Sequence, residues 1–408
     1  MSRELKGIAE GFLDCGQRRS GLWVLIAGNV GRVSGSGLWG LHSSCATFAT
    51  MHDRCGGSMP QNNANTTVLV TGASGFIGLH CVHQLLEQGY RVRGTVRSVA
   101  RANEVRDAMT ASLGADCAQR LELVEADLAN DDGWDAAVAG CKYVHHVASP
   151  FPNNIPNDEN ELIKPAKEGT LRVLKAAAQA GVRRVVLTSS LAAVSSGHPP
   201  DDSRVFTEDD WSIVERCPPY PKSKTLAERA AWDFVADLEG DAPMELSVIN
   251  PGAVLGPVLN HHYSTSGELV RKLLAREMPG IAQIGFPCVD VRDVASAHVA
   301  ALTEPAAAGK RFCCTIEFSW LHEVASILDK RFGPEGWKIP TRKLPNFLVR
   351  VVALFDPTAK LVVPDLGRVR SVSNDRIRRV LNWQPRSLEE MTVSMGETMI
   401  EQGIVTRS

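Results

Sequence analysis

The sequence lacks several features that would assign the protein to other functional classes. Its formal net charge is only −2, so no nucleic-acid-binding or membrane-binding surface is expected. No apolar run approaches the roughly 18 residues of a transmembrane helix. No CxxC pair and no Cys/His spacing typical of a metal site occurs, so no metal is expected. The ten cysteines are scattered, and we predict reduced, mostly packed thiols in a reducing compartment, the cytoplasm.

The N-terminal residues 1–58 differ from the rest of the chain. They are rich in Gly and Ser and show no sustained periodicity, which predicts a disordered extension. Gly28, Gly31 and Gly35 follow a short apolar run and imitate a phosphate-binding loop, but no amphipathic helix follows them. Two explanations of the extension stay open: an organelle-targeting leader, or a stretch upstream of a natural start at Met59.

From Thr66 onward, apolar runs of strand length alternate with helical stretches. The strands are rich in Val and Leu on both faces, which is typical of parallel strands that are buried from both sides. The sequence therefore predicts an α/β fold, a Rossmann-type doubly wound parallel sheet. After about residue 255 the alternation breaks. The shorter helices and strands that follow predict a smaller C-terminal α/β lobe for substrate.

Three glycines stand where the first strand gives way to a helix, in the stretch VTGASGFIG. Gly72 would let the chain turn sharply, Gly75 would let backbone approach a pyrophosphate, and Gly78 would let the helix pack closely on the sheet. A helix that begins near Phe76 would offer free N–H groups and a positive dipole end to phosphate. Because the glycines follow a strand and open a helix, they predict a dinucleotide-binding loop.

The second strand ends without the acidic residue that binds the ribose 2′-OH in NAD sites. Arg97 stands there instead, in the stretch GTVRS, and its guanidinium suits a 2′-phosphate through charge-assisted hydrogen bonds. The sequence therefore predicts NADP(H) as the cofactor. Asp127, after the third strand, could accept a hydrogen bond from the adenine amino group, or it could be an ordinary helix N-cap.

Given this cofactor, three segments are predicted. Residues 1–58 form the disordered or non-native extension, residues 59–254 the NADP-binding Rossmann domain, and residues 255–408 the substrate-binding lobe. The lobe is expected to be interleaved with the Rossmann domain, because ligands of such sheets bind in a crevice at the carboxyl ends of the strands.

A Tyr-x-x-x-Lys pair, Tyr220 and Lys224, stands at the start of a predicted helix. This spacing places both side chains on one face. A free tyrosine has a pKa near ~10, and a neighbouring ammonium is expected to lower that pKa. The pair therefore predicts a proton donor and acceptor. Ser190 ends the fifth predicted strand at the sheet edge where ligands bind, and Ser189 is the alternative if the strand register differs by one.

Residues from about 66 to 400 resemble the extended short-chain dehydrogenase/reductases of the NAD-dependent epimerase/dehydratase superfamily, particularly the dihydroflavonol 4-reductase-like branch. The resemblance rests on the stretches TGASGFIG, TVR, ADL, VHHVASP, TSS, YPKSKTLAE, INPGAVLGP and VDVRDVASAHVAAL. It implies that Ser190, Tyr220 and Lys224 form the catalytic triad. It also implies cofactor contacts from Gly72, Gly75, Phe76, Ile77, Gly78, Arg97, Asp127, Leu128, Ala148, Tyr220, Lys224, Pro251, Val254 and Ser266.

The resemblance implies an NADPH-dependent oxidoreductase that reduces a small-molecule ketone or aldehyde to an alcohol, as a monomer or homodimer. Dehydratases of the superfamily place Asp-Glu after the active-site hydroxyl residue, whereas Leu191 and Ala192 follow Ser190 here. Epimerases usually hold NAD, which Arg97 disfavours. A nucleotide-sugar epimerase, a 3β-hydroxysteroid dehydrogenase and a non-catalytic NADP-binding regulator stay as alternatives, although such a regulator usually lacks the catalytic tyrosine.

Several other polar residues are predicted to have structural roles. His145 and His146 end an apolar strand, and packing with hydrogen bonding is expected for both. Arg292 and one of its acidic neighbours are expected to form a structural ion pair and a helix cap. His261 and His262 lie in the loop after GPVLN, where a solvated loop is expected and a substrate contact is the alternative.

Overall fold

The computed structural model describes residues 63–150, 158–199, 201–240, 243–355, 360 and 362–407. The predicted N-terminal extension, residues 1–58, therefore lies outside the described residues. Within the described ranges, no helix combines the length and the apolar character that a membrane crossing requires.

The strands and helices follow the predicted alternation closely. The strands are β1 (Thr67–Thr71), β2 (Arg91–Val96), β3 (Leu121–Glu125), β4 (Tyr143–His146), β5 (Arg184–Thr188), β6 (Glu245–Pro251), β7 (Ala253–Leu255), β8 (Gly285–Asp290), β9 (Lys310–Cys314) and β10 (Phe318–Trp320). The described α-helices are α1 (Phe76–Glu87), α2 (Val99–Leu113), α3 (Ala115–Ala118), α4 (Trp134–Val138), α5 (Asn160–Gln179), α6 (Pro219–Ala236), α7 (Thr265–Leu274), α8 (Val291–Thr303), α9 (Leu321–Phe332), α10 (Asn346–Val352), α11 (Asp375–Leu381) and α12 (Leu388–Glu401).

A seven-stranded parallel sheet in the order β3-β2-β1-β4-β5-β6-β9 forms the centre of the fold. This confirms the predicted doubly wound α/β sheet. The strand at the far edge, β9, comes from the segment 255–408, so that segment supplies one strand to the main sheet. A smaller sheet in the order β10-β8-β7 joins β8 and β10 of that segment to β7, which begins just before it, at Ala253.

The central strands are buried on both faces because helices cover both sides. Along β1, Val68 and Val70 belong to one hydrophobic cluster, with residues of α1, α2 and α8. Leu69 belongs to a second cluster, with residues of α4, α5 and α6. Since side chains alternate along a strand, apolar residues at successive positions fill both layers, as the Val- and Leu-rich pattern predicted.

The cysteine prediction is confirmed at some positions and wrong at one. The free cysteines of the described residues are Cys81, Cys141, Cys217, Cys288, Cys313 and Cys314, all buried or half-buried. Cys117 is disulfide-bonded, so the prediction that every cysteine is reduced fails there. Pairing depends on which cysteines the fold brings together, and scattered spacing along the chain does not show this.

Several histidines are buried in their neutral form. On α8, His298 Nδ1 donates to the Val294 carbonyl at 2.8 Å, so its Nε2 must accept from the Thr188 hydroxyl, 2.7 Å away. Burial lowers the pKa of His298 to about 4, although the Val294 carbonyl raises it. Burial likewise lowers the pKa of His80 to about 4 and that of His146 to about 3.

These histidines predict that the fold loses stability in acid. The unfolded chain binds a proton at each histidine near pH 6.5, whereas the folded chain binds it only near pH 4 or below. Stability is therefore lost as the pH falls below ~6.5, by about 2 kcal/mol per buried histidine at pH 5. Urea unfolding at pH 7 and pH 5 measures this, and equal free energies would contradict it. In a His298→Gln variant, the unfolding free energy should depend less steeply on pH between about 4 and 6.5, by the amount that corresponds to about one bound proton.

Candidate active site

Several predicted site residues lie at one edge of the main sheet. Because β1, β4, β5 and β6 are parallel neighbours, their carboxyl ends meet at this edge. The glycine loop follows β1, Ala148 follows β4, Ser190 follows β5, and Pro251 ends β6. The strand order thus brings together residues that are far apart in the sequence.

The glycine loop after β1 is built from backbone packed at close range. Gly72 has a φ of +66°, and a Cβ on it would lie 3.1 Å from the Cβ of Ala148. A Cβ on Gly78 would lie 2.2 Å from the Gly72 carbonyl oxygen, so the close packing is between α1 and the loop itself. The N-cap of α1, Gly75, makes no side-chain cap. This glycine-rich loop, at a helix N-terminus without a side-chain cap, fits a pyrophosphate.

A cluster of basic residues lies where β2 ends and α2 begins. Arg97 is exposed directly after β2. One turn further along, Arg101 contacts His262 and forms a 3.0 Å ion pair with Glu104. The Nε2 atom of His262 lies 2.9 Å from Glu104, and its pKa is lowered by burial and by Arg101, with a smaller contribution from Arg97. The sequence analysis missed Arg101, which lies in the first turn of α2, four positions after Arg97.

The solvated-loop expectation is wrong for His262 and stays open for the exposed His261. The side chain of His262 is only 17% exposed because the loop before α7 folds back onto α2. His262 therefore lies beside Arg101, near the end of β2.

Asp127 lies in a turn rather than at a helix start. Its Oδ1 accepts from the Ala129 backbone N–H at 2.9 Å, and its carbonyl oxygen accepts from Asn130 at 3.1 Å. The following helix α4 begins only at Trp134, with Gly133 as its N-cap, so the helix N-cap interpretation is wrong. The adenine contact stays a prediction. Its neighbour Leu128 is buried against Gly169 of α5.

Ser190 and Tyr220 are brought together, and Ser189 is directed elsewhere. Ser190 caps the short 3₁₀ helix Leu191–Ala193, and its hydroxyl is hydrogen-bonded to that of Tyr220 at the start of α6. The hydroxyl of Ser189 donates instead to the buried carboxylate of Glu228, at 2.5 Å. The strand register therefore places Ser190, and not Ser189, beside the tyrosine.

The electrostatics of the pair differ from the sequence-based expectation. Burial raises the pKa of Tyr220, and the hydrogen bond from Ser190 lowers it in part. Lys224 does not contribute to this shift, so the prediction that its ammonium lowers the pKa of Tyr220 is wrong. Burial lowers the pKa of Lys224 itself to about 8, against an opposing effect of Glu228. A partly desolvated lysine that titrates near pH 8 is a weaker source of positive charge than an exposed one.

The last predicted cofactor residues follow the end of β6. Pro251 ends that strand and is buried beside Cys314 of β9. Val254 lies in β7, and its carbonyl oxygen accepts from the hydroxyl of Ser264 at 2.7 Å. Ser264 caps α7, and Ser266 lies in the first turn of that helix at the border of a small apolar cavity next to β7 and β8.

A buried carboxylate behind the site was missed by the sequence analysis. Glu228 is fully buried on α6, where Tyr220, Lys224 and Glu228 recur at every fourth position. It accepts from Arg311 Nε at 2.5 Å and from Asn250 Nδ2 at 2.8 Å. The spacing of an acid on the same helix face as the Tyr–Lys pair was the only available signal.

His145, His146 and Arg292, for which structural roles were predicted, have such roles in the structure. His145 Nε2 donates to a backbone carbonyl of α8 at 3.1 Å, and His146 Nδ1 lies 2.9 Å from the Thr71 hydroxyl. The carboxylate of Asp290 accepts from the backbone N–H of Arg292 at 2.8 Å and from its guanidinium at 2.7 Å. The predicted helix cap and ion pair at the start of α8 are therefore confirmed.

Comparison with known proteins gives a consistent result. The model of the NAD dependent epimerase/dehydratase family matches residues 68–313. The cinnamoyl-CoA reductase CAD2 of Medicago truncatula is 37% identical over 296 residues, 71% of this chain and 85% of the relative. A putative anthocyanidin reductase of Ginkgo biloba is 35% identical over 299 residues, 69% of this chain and 84% of the relative.

Solved structures show the same relationship. The yeast methylglyoxal/isovaleraldehyde reductase Gre2, complexed with NADPH, is 28% identical with a TM-score of 0.69, covering 83% of this chain and 100% of that chain. Vestitone reductase from alfalfa is 27% identical with a TM-score of 0.63, covering 83% of this chain and 99% of that chain.

The fold and the sheet-edge site define the class as an extended short-chain dehydrogenase/reductase. The chain belongs to the NAD dependent epimerase/dehydratase family. Within it, the chain belongs to the dihydroflavonol 4-reductase-like branch, as the sequence motifs predicted, and it is an NAD(P)-dependent oxidoreductase.

Proposed function

We propose that the protein uses NADPH to reduce a ketone or aldehyde to an alcohol, through Ser190, Tyr220 and Lys224. The observation that carries this proposal is the hydrogen bond between the hydroxyls of Ser190 and Tyr220 at the carboxyl edge of the sheet. Two hydroxyls in contact with each other can both donate to one carbonyl oxygen. Such paired donors stabilise the negative charge that develops on that oxygen during reduction.

The cofactor assignment rests on the glycine loop and on the charge at the end of β2. When bound, NADPH supplies the hydride. The residues that would hold it are Gly72, Gly75, Phe76, Ile77, Gly78, Arg97, Asp127, Leu128, Ala148, Tyr220, Lys224, Pro251, Val254 and Ser266. The exposed guanidinium of Arg97, with Arg101 one turn away, supplies positive charge for the 2′-phosphate. NADPH in the related Gre2 structure supports the same choice.

The triad residues would divide the chemistry. Ser190 and Tyr220 donate to the carbonyl oxygen and polarise it, and Tyr220 then transfers its proton to that oxygen. Tyr220 is protonated at neutral pH, as the proton donor of a reduction must be, although burial raises its pKa and so makes it a weaker acid. Lys224 would bind the ribose hydroxyls of the cofactor.

The surroundings of Ser190 support reduction over elimination. Dehydratases need a carboxylate beside this position, but the residues here are Leu191, which is buried, and Ala192. The carboxylate behind the site, Glu228, accepts hydrogen bonds from Ser189 and Arg311 and is fully buried. A carboxylate that is occupied in this way cannot remove a proton from substrate.

NADPH oxidation with a panel of carbonyl compounds tests the proposal. The panel contains flavanonols, aromatic aldehydes, α-dicarbonyls, β-keto esters and a cinnamoyl-CoA thioester. We expect at least one carbonyl to be consumed in equal amount with NADPH, with the reduced product identified by mass spectrometry. NADPH binding without oxidation by any member would contradict the proposal.

A further inference from the structure

We propose that Glu228 is a positioning residue for this reaction, which fixes the backbone around Ser190 and keeps Lys224 positively charged. The inference rests on the proposed function of the Ser190–Tyr220–Lys224 site. Glu228 lies on the same helix, α6, one turn beyond Lys224 and two turns beyond Tyr220. Its side chain is 0% exposed, so it does not contact solvent.

The carboxylate of Glu228 holds both sides of the Ser190 backbone. The hydroxyl of Ser189, the preceding residue, donates to Oε2 at 2.5 Å. Asn250 Nδ2 donates to the same oxygen at 2.8 Å and also reaches the Ser190 carbonyl at 3.2 Å. The end of β5 is thus fixed relative to α6, and with it the distance between the hydroxyls of Ser190 and Tyr220.

A buried arginine closes this cluster from the edge strand β9. Arg311 Nε donates to Glu228 Oε1 at 2.5 Å, and its Nη1 donates to the carbonyl oxygens of Glu208 at 3.0 Å and Asp210 at 2.8 Å. Its guanidinium carbon lies 3.7 Å from the ring centroid of Trp211. A buried ion pair of this kind is weak evidence for stability by itself, because desolvation offsets its attraction. The ion pair instead connects β9 to α6, the helix that carries Tyr220 and Lys224.

The charge of Glu228 acts on Lys224. The ionisable groups that interact with that ammonium are Glu228 on its own helix and His146 from β4. Burial lowers the pKa of Lys224, Glu228 raises it, and the result is about 8. His146 is buried and neutral at this pH, with a pKa of about 3, so Glu228 supplies the negative charge. Glu228 is itself paired with Arg311 from β9.

A Glu228→Gln variant tests both parts of this role. Without the negative charge, Lys224 loses its proton at lower pH. We expect the alkaline limb of the kcat/KM profile to move down by about one pH unit, a loss of about fivefold at pH 8. The dissociation constant of NADPH, measured by cofactor fluorescence, should also rise between pH 6.5 and pH 8 in the variant more than in the wild type.

Two matched variants separate charge from geometry. Glu228→Asp keeps the charge, so the alkaline limb should stay at its wild-type pH while kcat falls several-fold. Ser189→Ala removes one hydrogen bond without a change of charge, and it should likewise lower kcat and leave the limb in place. A pure packing role would instead lower thermal stability in all three variants without moving the limb in any.

The result that would overturn the proposal is a folded Glu228→Gln protein with the pH profile and the pH-dependent NADPH affinity of the wild type. If that variant does not fold, the pair Glu228→Gln with Arg311→Gln removes both buried charges, and the same shift is expected. A wild-type protein that oxidises NADPH with no carbonyl would refute the proposed function alone. The comparison of NADPH affinity at two pH values would still decide the role of Glu228.

Discussion

A Tyr220→Phe variant is expected to reduce its carbonyl substrate about 10³-fold more slowly than the wild type and still to bind NADPH. The phenylalanine ring fills the same space but has no proton to transfer, and general acid catalysis contributes factors of about 10² to 10⁴. The variant also removes one of the two hydroxyls that would polarise the carbonyl. Because both effects arise in the transition state, kcat falls rather than cofactor affinity.

The chain provides a matched control for this substitution. Tyr90 is buried directly before β2, at the amino ends of the strands and so at the opposite edge of the sheet. Tyr90→Phe makes the same chemical change and should leave turnover at the wild-type level. Single-turnover rates and NADPH fluorescence titrations of both variants measure the two effects separately. A Tyr220→Phe enzyme with near-wild-type turnover would remove Tyr220 from the mechanism.

An Arg97→Ala variant is expected to lose about 10- to 100-fold in kcat/KM with NADPH and to change little with NADH. The two cofactors differ in the 2′-phosphate, and hydrogen bonds to a charged group contribute about 1.5 to 3 kcal/mol. Removal of the exposed guanidinium at the end of β2 therefore affects the phosphorylated cofactor selectively. The ratio of kcat/KM for the two cofactors is the quantity to measure.

Arg91→Ala is the control for the cofactor experiment. Arg91 is also exposed and begins the same strand that Arg97 follows, so it lies at the opposite edge of the sheet. Its loss changes the net charge equally and should leave the NADPH/NADH ratio unchanged. A wild-type preference for NADH, or an Arg97→Ala variant with the wild-type ratio, would refute the role of Arg97.

Features set by local spacing could be predicted from the sequence. Gly72, Gly75 and Gly78 follow a strand and open a helix, and the backbone there has the positive φ and close contacts that glycine allows. The spacing of Tyr220 and Lys224 places both on one face of α6. The alternation of apolar runs predicted the parallel sheet, because its period follows from the backbone geometry of each element.

Other features depend on contacts between distant segments, and here local interpretation failed. Asp127 precedes a helical stretch and so resembles an N-cap, but the chain makes a turn first. His262 lies in a polar loop, but the loop folds onto α2. The pKa of Tyr220 is set mainly by burial, which spacing along one helix does not contain.

The sequence alone determined the sheet, the glycine loop and the Tyr–Lys pair, because each is encoded by residues within a few turns or one strand. Only the tertiary structure decided that Ser190 faces the tyrosine and that Ser189 faces Glu228. It alone joined Glu228 to Arg311, 83 positions along the chain. The physical reason is that hydrogen bonds and desolvation depend on distance in space, whereas periodicity records only distance along the backbone.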